Sequence, residues 1–342
     1  MWRSETRFRA AGMIRRILSF VEPFILMLLG TVVLASVLPA RGEWARVAGI
    51  VADAGIVLLF FLHGAKLSRE AIWQGARNWR LHLAVLATTF AVFPLLGLAF
   101  GRLPGLAAPV AAGMVFLTLL PSTVQSSIAF TAIARGNVAA AVCSASFSNL
   151  IGIVLTPALV ALTMSGVGGQ AGISLAAVES IVLQLLVPFV AGHLLRPWIG
   201  GFIGRHKGLV GIVDRGSILL VVYTAFGAAV VEGLWHRVSA ADLALIAAAC
   251  VALLAIVLVL TWLAGRALGF TREDQIVLLF CGSKKSLASG VPMAGVLFPA
   301  AQVGAVLLPV MLFHQIQLIA CAIIARRYAN AASLAEAEAV SA

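Results

Sequence analysis

Long apolar stretches separated by short polar connectors run through the chain from end to end. A helix needs about 20 apolar residues to cross a bilayer. Ten runs approach or exceed that length, at about 21–38, 47–64, 81–100, 107–134, 138–163, 173–195, 212–232, 242–265, 274–297 and 303–325. The pattern predicts an all-α polytopic membrane protein with ten transmembrane helices, here called spans one to ten. The charged segment 66–80 is predicted to lie at the interface as an amphipathic helix.

Composition agrees with this pattern. Apolar residues make up 62% of the chain and charged residues 11%, against about 45–50% and about 25% in soluble domains. Such a chain lacks the charge to cover a water-soluble surface. A soluble enzyme, a disordered chain and a nucleic-acid binder are therefore excluded.

The net charge of +11 is unevenly distributed. With a cytoplasmic N-terminus, the cytoplasmic connectors carry 18 Lys and Arg residues and the outside connectors carry 4. This bias follows the positive-inside rule for ten spans with both termini in the cytoplasm. The remaining two basic residues, Lys284 and Lys285, fall inside span nine.

The two halves of the chain resemble each other weakly. The stretch 21–29 aligns with 178–186, and 53–59 aligns with 214–220. Each half contains five spans. Because five is an odd number, the second half enters the membrane from the side opposite to the first. This arrangement is the inverted repeat of secondary transporters. Chance similarity between apolar helices is the alternative. The predicted regions are a cytoplasmic basic N-terminus (1–20), a first five-helix repeat (21–163), a second inverted repeat (173–325) and a cytoplasmic C-terminal tail (326–342).

Spans four and nine are interrupted at similar places. Pro121 precedes a run of hydroxyl and amide side chains, and span nine contains the polar stretch 281–290 followed by Pro292. Irregular backbone at membrane depth is tolerated only inside protein or beside a water-filled cavity. The pair of breaks therefore predicts a polar site, with Ser122 or Thr123 as the cap of the second half-helix. The alternative is two proline kinks with serines bonded to nearby carbonyls.

The adjacent lysines in span nine are the most unusual feature. A basic residue at the centre of a membrane helix costs roughly 2.5–3.5 kcal/mol on insertion scales. At least one of them is expected to attract an anionic solute or to stand in for a bound cation. The alternative is that both extend through a water-filled vestibule.

Other polar residues carry weaker signals. Asp53 and Asp214 are predicted to lie at helix starts in N-cap or first-turn roles, with proton carriage as the alternative. His314 and Asn149 either line a path or join helices. No metal-ligand spacing, nucleophile elbow or nucleotide-binding loop occurs, so no enzyme activity, metal or cofactor is predicted.

Four segments carry a family resemblance. They are Thr89–Pro94, Leu120–Ala139, Leu155–Pro157 and Gly282–Pro292. In these segments the chain resembles the bile acid:sodium symporter superfamily, and in particular its SBF-like branch of bacterial inner membranes. The resemblance implies a panel domain of spans one, two, six and seven and a core domain of spans three to five and eight to ten. It also implies that spans four and nine cross and that organic anions move by alternating access.

The resemblance further implies how a coupling cation is held. Sodium-coupled members bind sodium with polar side chains of spans three, four, five and nine. At the matching positions this chain keeps Ser127, has Thr89 in place of a glutamine, and has Lys284 or Lys285 near the span-nine glutamine. An ammonium and a sodium ion cannot share one site. The resulting hypothesis is that a lysine occupies the cation site. Transport would then be coupled to protons or uncoupled, instead of being coupled to sodium as in the family.

The predicted function is a secondary transporter for a small organic anion (bile-acid-like, carboxylate or sulfate) in the inner membrane, as a monomer or homodimer. The alternative is a regulatory membrane protein that binds a ligand without transporting it. The candidate binding residues are Thr89, Ser122, Thr123, Gln125, Ser126, Ser127, Asn149, Ser283, Lys284, Lys285, Ser286 and His314.

Overall fold

A computed structural model describes residues 23–66, 78–164, 179 and 182–341. The predicted N-terminal region 1–20, most of the interfacial segment 66–80 and the predicted start of span six lie outside the described residues. The described residues form helices and their connections, and none of them lies in a β-strand.

The helices are numbered here in chain order. They are α1 (Pro23–Val37), α2 (Glu43–Lys66), α3 (Trp79–Phe100), α4 (Ala108–Leu119), α5 (Gln125–Ile133), α6 (Val138–Thr163), α7 (Val182–Arg205), α8 (Lys207–Val231), α9 (Leu234–Arg237), α10 (Ala240–Ala267), α11 (Arg272–Gly282), α12 (Leu287–Leu297) and α13 (Ala300–Ser341).

Seven of the described helices are long and apolar enough to cross a membrane, namely α2, α3, α6, α7, α8, α10 and most of α13. Helices α1 and α4 contain shorter apolar segments. Large apolar side chains on the outer faces, such as Leu95, Trp198 and Ile212, are exposed, as expected of surfaces that meet lipid rather than water. The protein is a multi-pass membrane protein, and its regular structure within the described ranges is entirely helical.

Several helices extend beyond the predicted spans. Span seven was expected to start at 212, whereas α8 starts at Lys207, and α7 continues to Arg205 instead of ending near 195. Apolar periodicity detects the part of a helix inside hydrocarbon, while charged ends remain helical outside it. The last helix runs to Ser341 rather than 325 because its final turns are rich in alanine and glutamate, which favour helix.

The predicted capping roles of Asp53 and Asp214 are wrong. Both residues lie inside helices, Asp53 in α2 and Asp214 in α8. The carboxylate of Asp214 pairs with the ammonium of Lys66 at the end of α2. Asp214 therefore joins two helices instead of starting one.

Helices α2 and α7 pack through a pair of glycines. A Cβ on Gly64 would lie 2.0 Å from the carbonyl oxygen of Phe189, and a Cβ on Gly192 would lie 1.9 Å from that of Phe61. The two backbones can approach this closely only because both positions lack a side chain. Helix α8 packs against α1, α2 and α13.

Two interrupted helical segments meet inside the bundle. The first break (residues 120–124) separates α4 from α5, and the second break (Ser283–Ser286) separates α11 from α12. Helix α11 contacts α3, α5 and α6, while α13 packs against α4, α5 and α12. The two breaks are therefore enclosed by helices on several sides.

Candidate functional site

The two breaks contact each other directly. The backbone N–H of Ser286 donates to the carbonyl of Pro121 at 2.8 Å, and the hydroxyl of Ser122 donates to the carbonyl of Cys281 at 2.6 Å. The hydroxyl of Ser127 donates to the carbonyl of Phe280 at 3.0 Å. Backbone groups that the breaks leave without helical partners thus find partners on the opposite segment.

The ammonium of Lys285 lies among three backbone carbonyl oxygens. Its Nζ donates to the carbonyls of Thr89 at 2.7 Å, Thr118 at 2.8 Å and Leu120 at 2.7 Å. A lysine ammonium has three N–H donors, so each of them has an acceptor. The ring centroid of Phe93 lies 4.2 Å from Nζ and adds a cation–π contact.

Local sequence explains why the carbonyl of Thr89 is available. Residues Thr88–Val92 form a short π-helical turn, in which Phe93 donates its N–H to the carbonyl of Thr88. The next bond in this pattern would require an N–H from residue 94, which is proline and has none. The Thr89 carbonyl is left for Lys285.

Pro121 frees the other two carbonyls. The residue before a proline avoids the helical region, and Leu120 is extended, with φ −70° and ψ 153°. Helix α4 therefore ends at Leu119. The N–H of Ser122, which would return to the carbonyl of Thr118 in a continuous helix, donates to the hydroxyl of Ser148 instead.

Gln317 of α13 holds the backbone at the second break. Its Oε1 accepts the N–H of Lys285 and its Nε2 donates to the carbonyl of Lys285, both at 2.9 Å. The same Nε2 lies 2.8 Å from Nδ1 of His314. Because the side-chain amide nitrogen is a donor, Nδ1 of His314 is the acceptor in this contact. His314 therefore supports Gln317.

Asn149 of α6 connects the first break to the first turn of α12. Its Nδ2 donates to the carbonyl of Ser122 at 2.7 Å, and its Oδ1 accepts the hydroxyl of Ser289 at 2.9 Å. Ser286 caps α12 by accepting the N–H of Ser289. These bonds join α6, the first break and α12.

The predicted cap of α5 is absent. Val124 occupies the position before α5, and no side chain accepts from the first turn. The hydroxyl of Ser122 donates to the carbonyl of Cys281 in α11, and the hydroxyl of Thr123 bonds those of Ser126 and Ser127. The prediction that Ser122 or Thr123 caps this half-helix is therefore wrong.

Lys284 has very different surroundings. Its Nζ lies 3.5 Å from the hydroxyl of Ser126, at the outer limit of a hydrogen bond, and 4.1 Å and 5.5 Å from the ring centroids of Phe130 and Phe280. Both lysines are fully buried. The two ion pairs found in the described part of the chain are Arg46–Glu43 and Lys66–Asp214, so neither buried lysine has an acidic partner there.

The other predicted site residues lie in the same cluster and face inward. Ser283 donates to the carbonyl of Leu279 one turn back. The hydroxyl of Thr89 bonds its own helix, so Thr89 contributes a carbonyl rather than a hydroxyl. Gln125 differs from the rest because it is exposed.

Gln125 opens onto a cavity of about 660 Å³. Lys66, Arg196 and Lys207 line it together with Asp214, so cations outnumber the one acidic residue in its wall. The chain has four lysines in all. Two lie in this cavity wall and two at the breaks.

The contacts that sequence reasoning missed are mostly backbone groups. No side-chain pattern marks the carbonyls of Thr118 and Leu120 as ligands, although Pro121 signals that some carbonyls nearby are free. Gln317 lies three residues after the predicted His314, and its polar side chain in an apolar span is a signal that could have identified it. The three cations of the cavity wall, Lys66, Arg196 and Lys207, fall in predicted cytoplasmic connectors between spans.

Comparison with known proteins identifies the family. The sequence profile of the SBF-like CPA transporter family matches residues 22–330. The chain belongs to the SBF-like CPA transporter family. The resemblance to the bile acid:sodium symporter superfamily is thereby confirmed.

Several curated relatives of this SBF-like chain cover most of its length. "Uncharacterized protein PA2026" of Pseudomonas aeruginosa is 57% identical over 323 residues, which are 92% of this chain and 97% of the relative. "Putative symporter YfeH" of Escherichia coli is 52% identical over 315 residues, 92% and 94% of the two chains. "Sodium/bile acid cotransporter 7" of Rattus norvegicus is 26% identical over 276 residues, 79% and 80% of the two chains. The family and the relatives' printed names together indicate a secondary transporter.

Proposed function

We propose that the protein moves a small organic anion across the bacterial inner membrane by alternating access, and that Lys285 takes the place of the coupling sodium ion. The observation that carries this proposal is the set of three carbonyl oxygens around the Lys285 ammonium. Backbone carbonyls freed from helices are the groups with which transporters coordinate sodium.

An ammonium in that position excludes a metal cation. Sodium and the Lys285 ammonium require the same oxygen atoms and repel each other at contact distance. The covalently held charge supports the crossing of the two broken segments in the way that a bound ion would. Coupling is then to protons or absent.

The proposed architecture has ten spans in two inverted repeats, divided into the panel and core domains described above, with both termini cytoplasmic. The two interrupted helical segments lie about 160 residues apart in the sequence, as the separation of Ser126 and Ser286 shows. This spacing supports the repeat. The first broken pair, α4 with α5, forms one span, and α11 with α12 forms the other.

The cavity beside Gln125 supports an anionic solute. Lys66, Arg196 and Lys207 give its wall an excess of positive charge. The wall also includes Gln125, the first residue of α5, and the start of this helix has no side-chain cap. A carboxylate or sulfate would be attracted to such a wall. The relative named for bile acid makes amphipathic acids a reasonable class to test first.

Two measurements on purified protein test the proposal. A thermal-shift screen with carboxylates and sulfates identifies anions that bind the folded state, since binding raises the melting temperature. Counterflow of the best ligand into liposomes then tests transport. We expect accumulation that depends on the internal solute. Binding without counterflow would contradict transport and support the regulatory alternative.

A further inference from the structure

Lys284 and Lys285 are adjacent in sequence, but their ammonium groups differ in how firmly they are held. All three N–H donors of Lys285 bind carbonyl oxygens at 2.7–2.8 Å. Lys284 has the 3.5 Å contact with the Ser126 hydroxyl and the rings of Phe130 and Phe280. Lys285 is fixed by its contacts, whereas Lys284 has few bonds to break before it moves.

The charge of Lys284 is poorly compensated. The titratable groups around it are the thiols of Cys281 and Cys321, the imidazole of His314 and the ammonium of Lys285. In the described part of the protein no carboxylate pairs with it. A buried ammonium without a carboxylate or carbonyl acceptor is unfavourable. An acidic group from a ligand would supply the missing counter-charge.

Lys284 contacts the helix that borders the cavity. Its hydroxyl contact, Ser126, directly follows Gln125, which lines the cavity wall. Ser126 is half-buried and Gln125 is exposed, so the first turn of α5 touches Lys284 through one residue and the cavity through its neighbour. No side chain caps that turn. A displacement of the Lys284 side chain past Ser126 would carry its ammonium toward the cavity side of α5.

We infer that the two lysines have different roles, Lys285 as a fixed charge of the scaffold and Lys284 as the mobile ammonium that binds the carboxylate or sulfonate of the transported solute. This inference rests on the proposed function. No covalent bond forms or breaks, because the ammonium exchanges its contacts with the aromatic rings for hydrogen bonds to an anion. Charge-assisted bonds of this kind are roughly twice as strong as neutral ones.

Chemical modification of the four lysines tests the assignment on the wild-type chain. Trinitrobenzenesulfonate, an anionic reagent that attacks amines, is applied to the protein in liposomes, and the modified lysines are located by peptide mass spectrometry. We expect Lys66 and Lys207 to react first, Lys284 to react more slowly, and Lys285 to remain unmodified.

A competition arm tests whether Lys284 binds an acidic group. Benzenesulfonate is the probe, and benzamide is the matched uncharged arene. We expect benzenesulfonate to slow modification of Lys284 by about tenfold, which corresponds to about 1.4 kcal/mol, and benzamide to have no effect. Thermal stabilisation by benzenesulfonate should be lost in Lys284→Met and kept in Lys284→Arg.

Three results would overturn the assignment. They are modification of Lys285 at the rate of Lys284, absence of modification at Lys284, and modification of Lys284 that benzenesulfonate does not slow. Labelling requires no transport. A failed counterflow experiment with the predicted labelling pattern would therefore refute transport alone, and counterflow without that pattern would refute the role of Lys284 alone.

Discussion

The side-chain amide of Gln317 binds both backbone polar groups of Lys285, accepting from its N–H and donating to its carbonyl at 2.9 Å each. Residue 285 lies in a segment without helical hydrogen bonds, so its backbone would otherwise be unsatisfied inside the bundle. Gln317 thus fixes the backbone from which the Lys285 ammonium reaches the three carbonyls.

Replacing Gln317 tests this role. In Gln317→Leu, two buried backbone groups lose their partners, each at a cost of about 1–3 kcal/mol. We therefore expect a loss of about 2–6 kcal/mol and a clearly lower melting temperature in detergent. Gln315→Met is the matched control on the same helix, because the Gln315 amide nitrogen has no hydrogen-bond partner. Equal melting temperatures for the two variants would contradict the account.

The two lysines should differ in their effect on stability. Lys285→Met leaves the carbonyls of Thr89, Thr118 and Leu120 without a donor, and we expect a loss of about 3 kcal/mol or more. Lys284→Met removes one long hydrogen bond and places a thioether against two phenyl rings, which is a favourable contact. The melting temperature of this variant should therefore stay near that of the wild type. Thermal unfolding of both purified variants provides the comparison, and a reversed order would refute the assigned contacts.

The cavity cations should control anion binding. For the carboxylate or sulfate that stabilises the wild type most, we expect Lys207→Ala to weaken binding by about tenfold, as loss of one charge-assisted bond predicts. Asp214→Asn should strengthen binding because it removes the acidic residue from the described wall. Arg41→Ala, outside the cavity, is the control. Titration by thermal shift or calorimetry measures all three, and weaker binding by Asp214→Asn would argue against an anion in this cavity.

The close approach of α2 and α7 should not tolerate a methyl group. In Gly64→Ala the new Cβ would lie 2.0 Å from the Phe189 carbonyl oxygen, so the helices must separate, and we expect a loss of about 1–3 kcal/mol. Gly49→Ala, on the same helix with nothing within 4 Å of the added atom, should not destabilise the protein, because alanine favours helix more than glycine does. Melting temperatures of the two variants test this close approach of the helices. A Gly64→Ala variant as stable as the wild type would contradict it.

Sequence reasoning predicted the helices better than their contacts. Apolar periodicity located the helical segments, and Pro121 with Pro94 explains why carbonyls are free near Lys285. Side-chain patterns could not reveal that backbone oxygens of Thr118 and Leu120 would surround that ammonium, because the ligands come from the main chain of distant helices. The prediction that Ser122 or Thr123 caps α5 is wrong because both hydroxyls form other hydrogen bonds in the folded bundle.

The most direct test of the central claim is sodium binding by the purified wild-type protein. Equilibrium dialysis with radioactive sodium, in potassium-free buffer, measures saturable binding without any knowledge of the solute. Because the Lys285 ammonium occupies the three carbonyls, we predict no saturable sodium binding and the same melting temperature in sodium and choline salts. Saturable binding of sodium near one ion per chain would contradict the account.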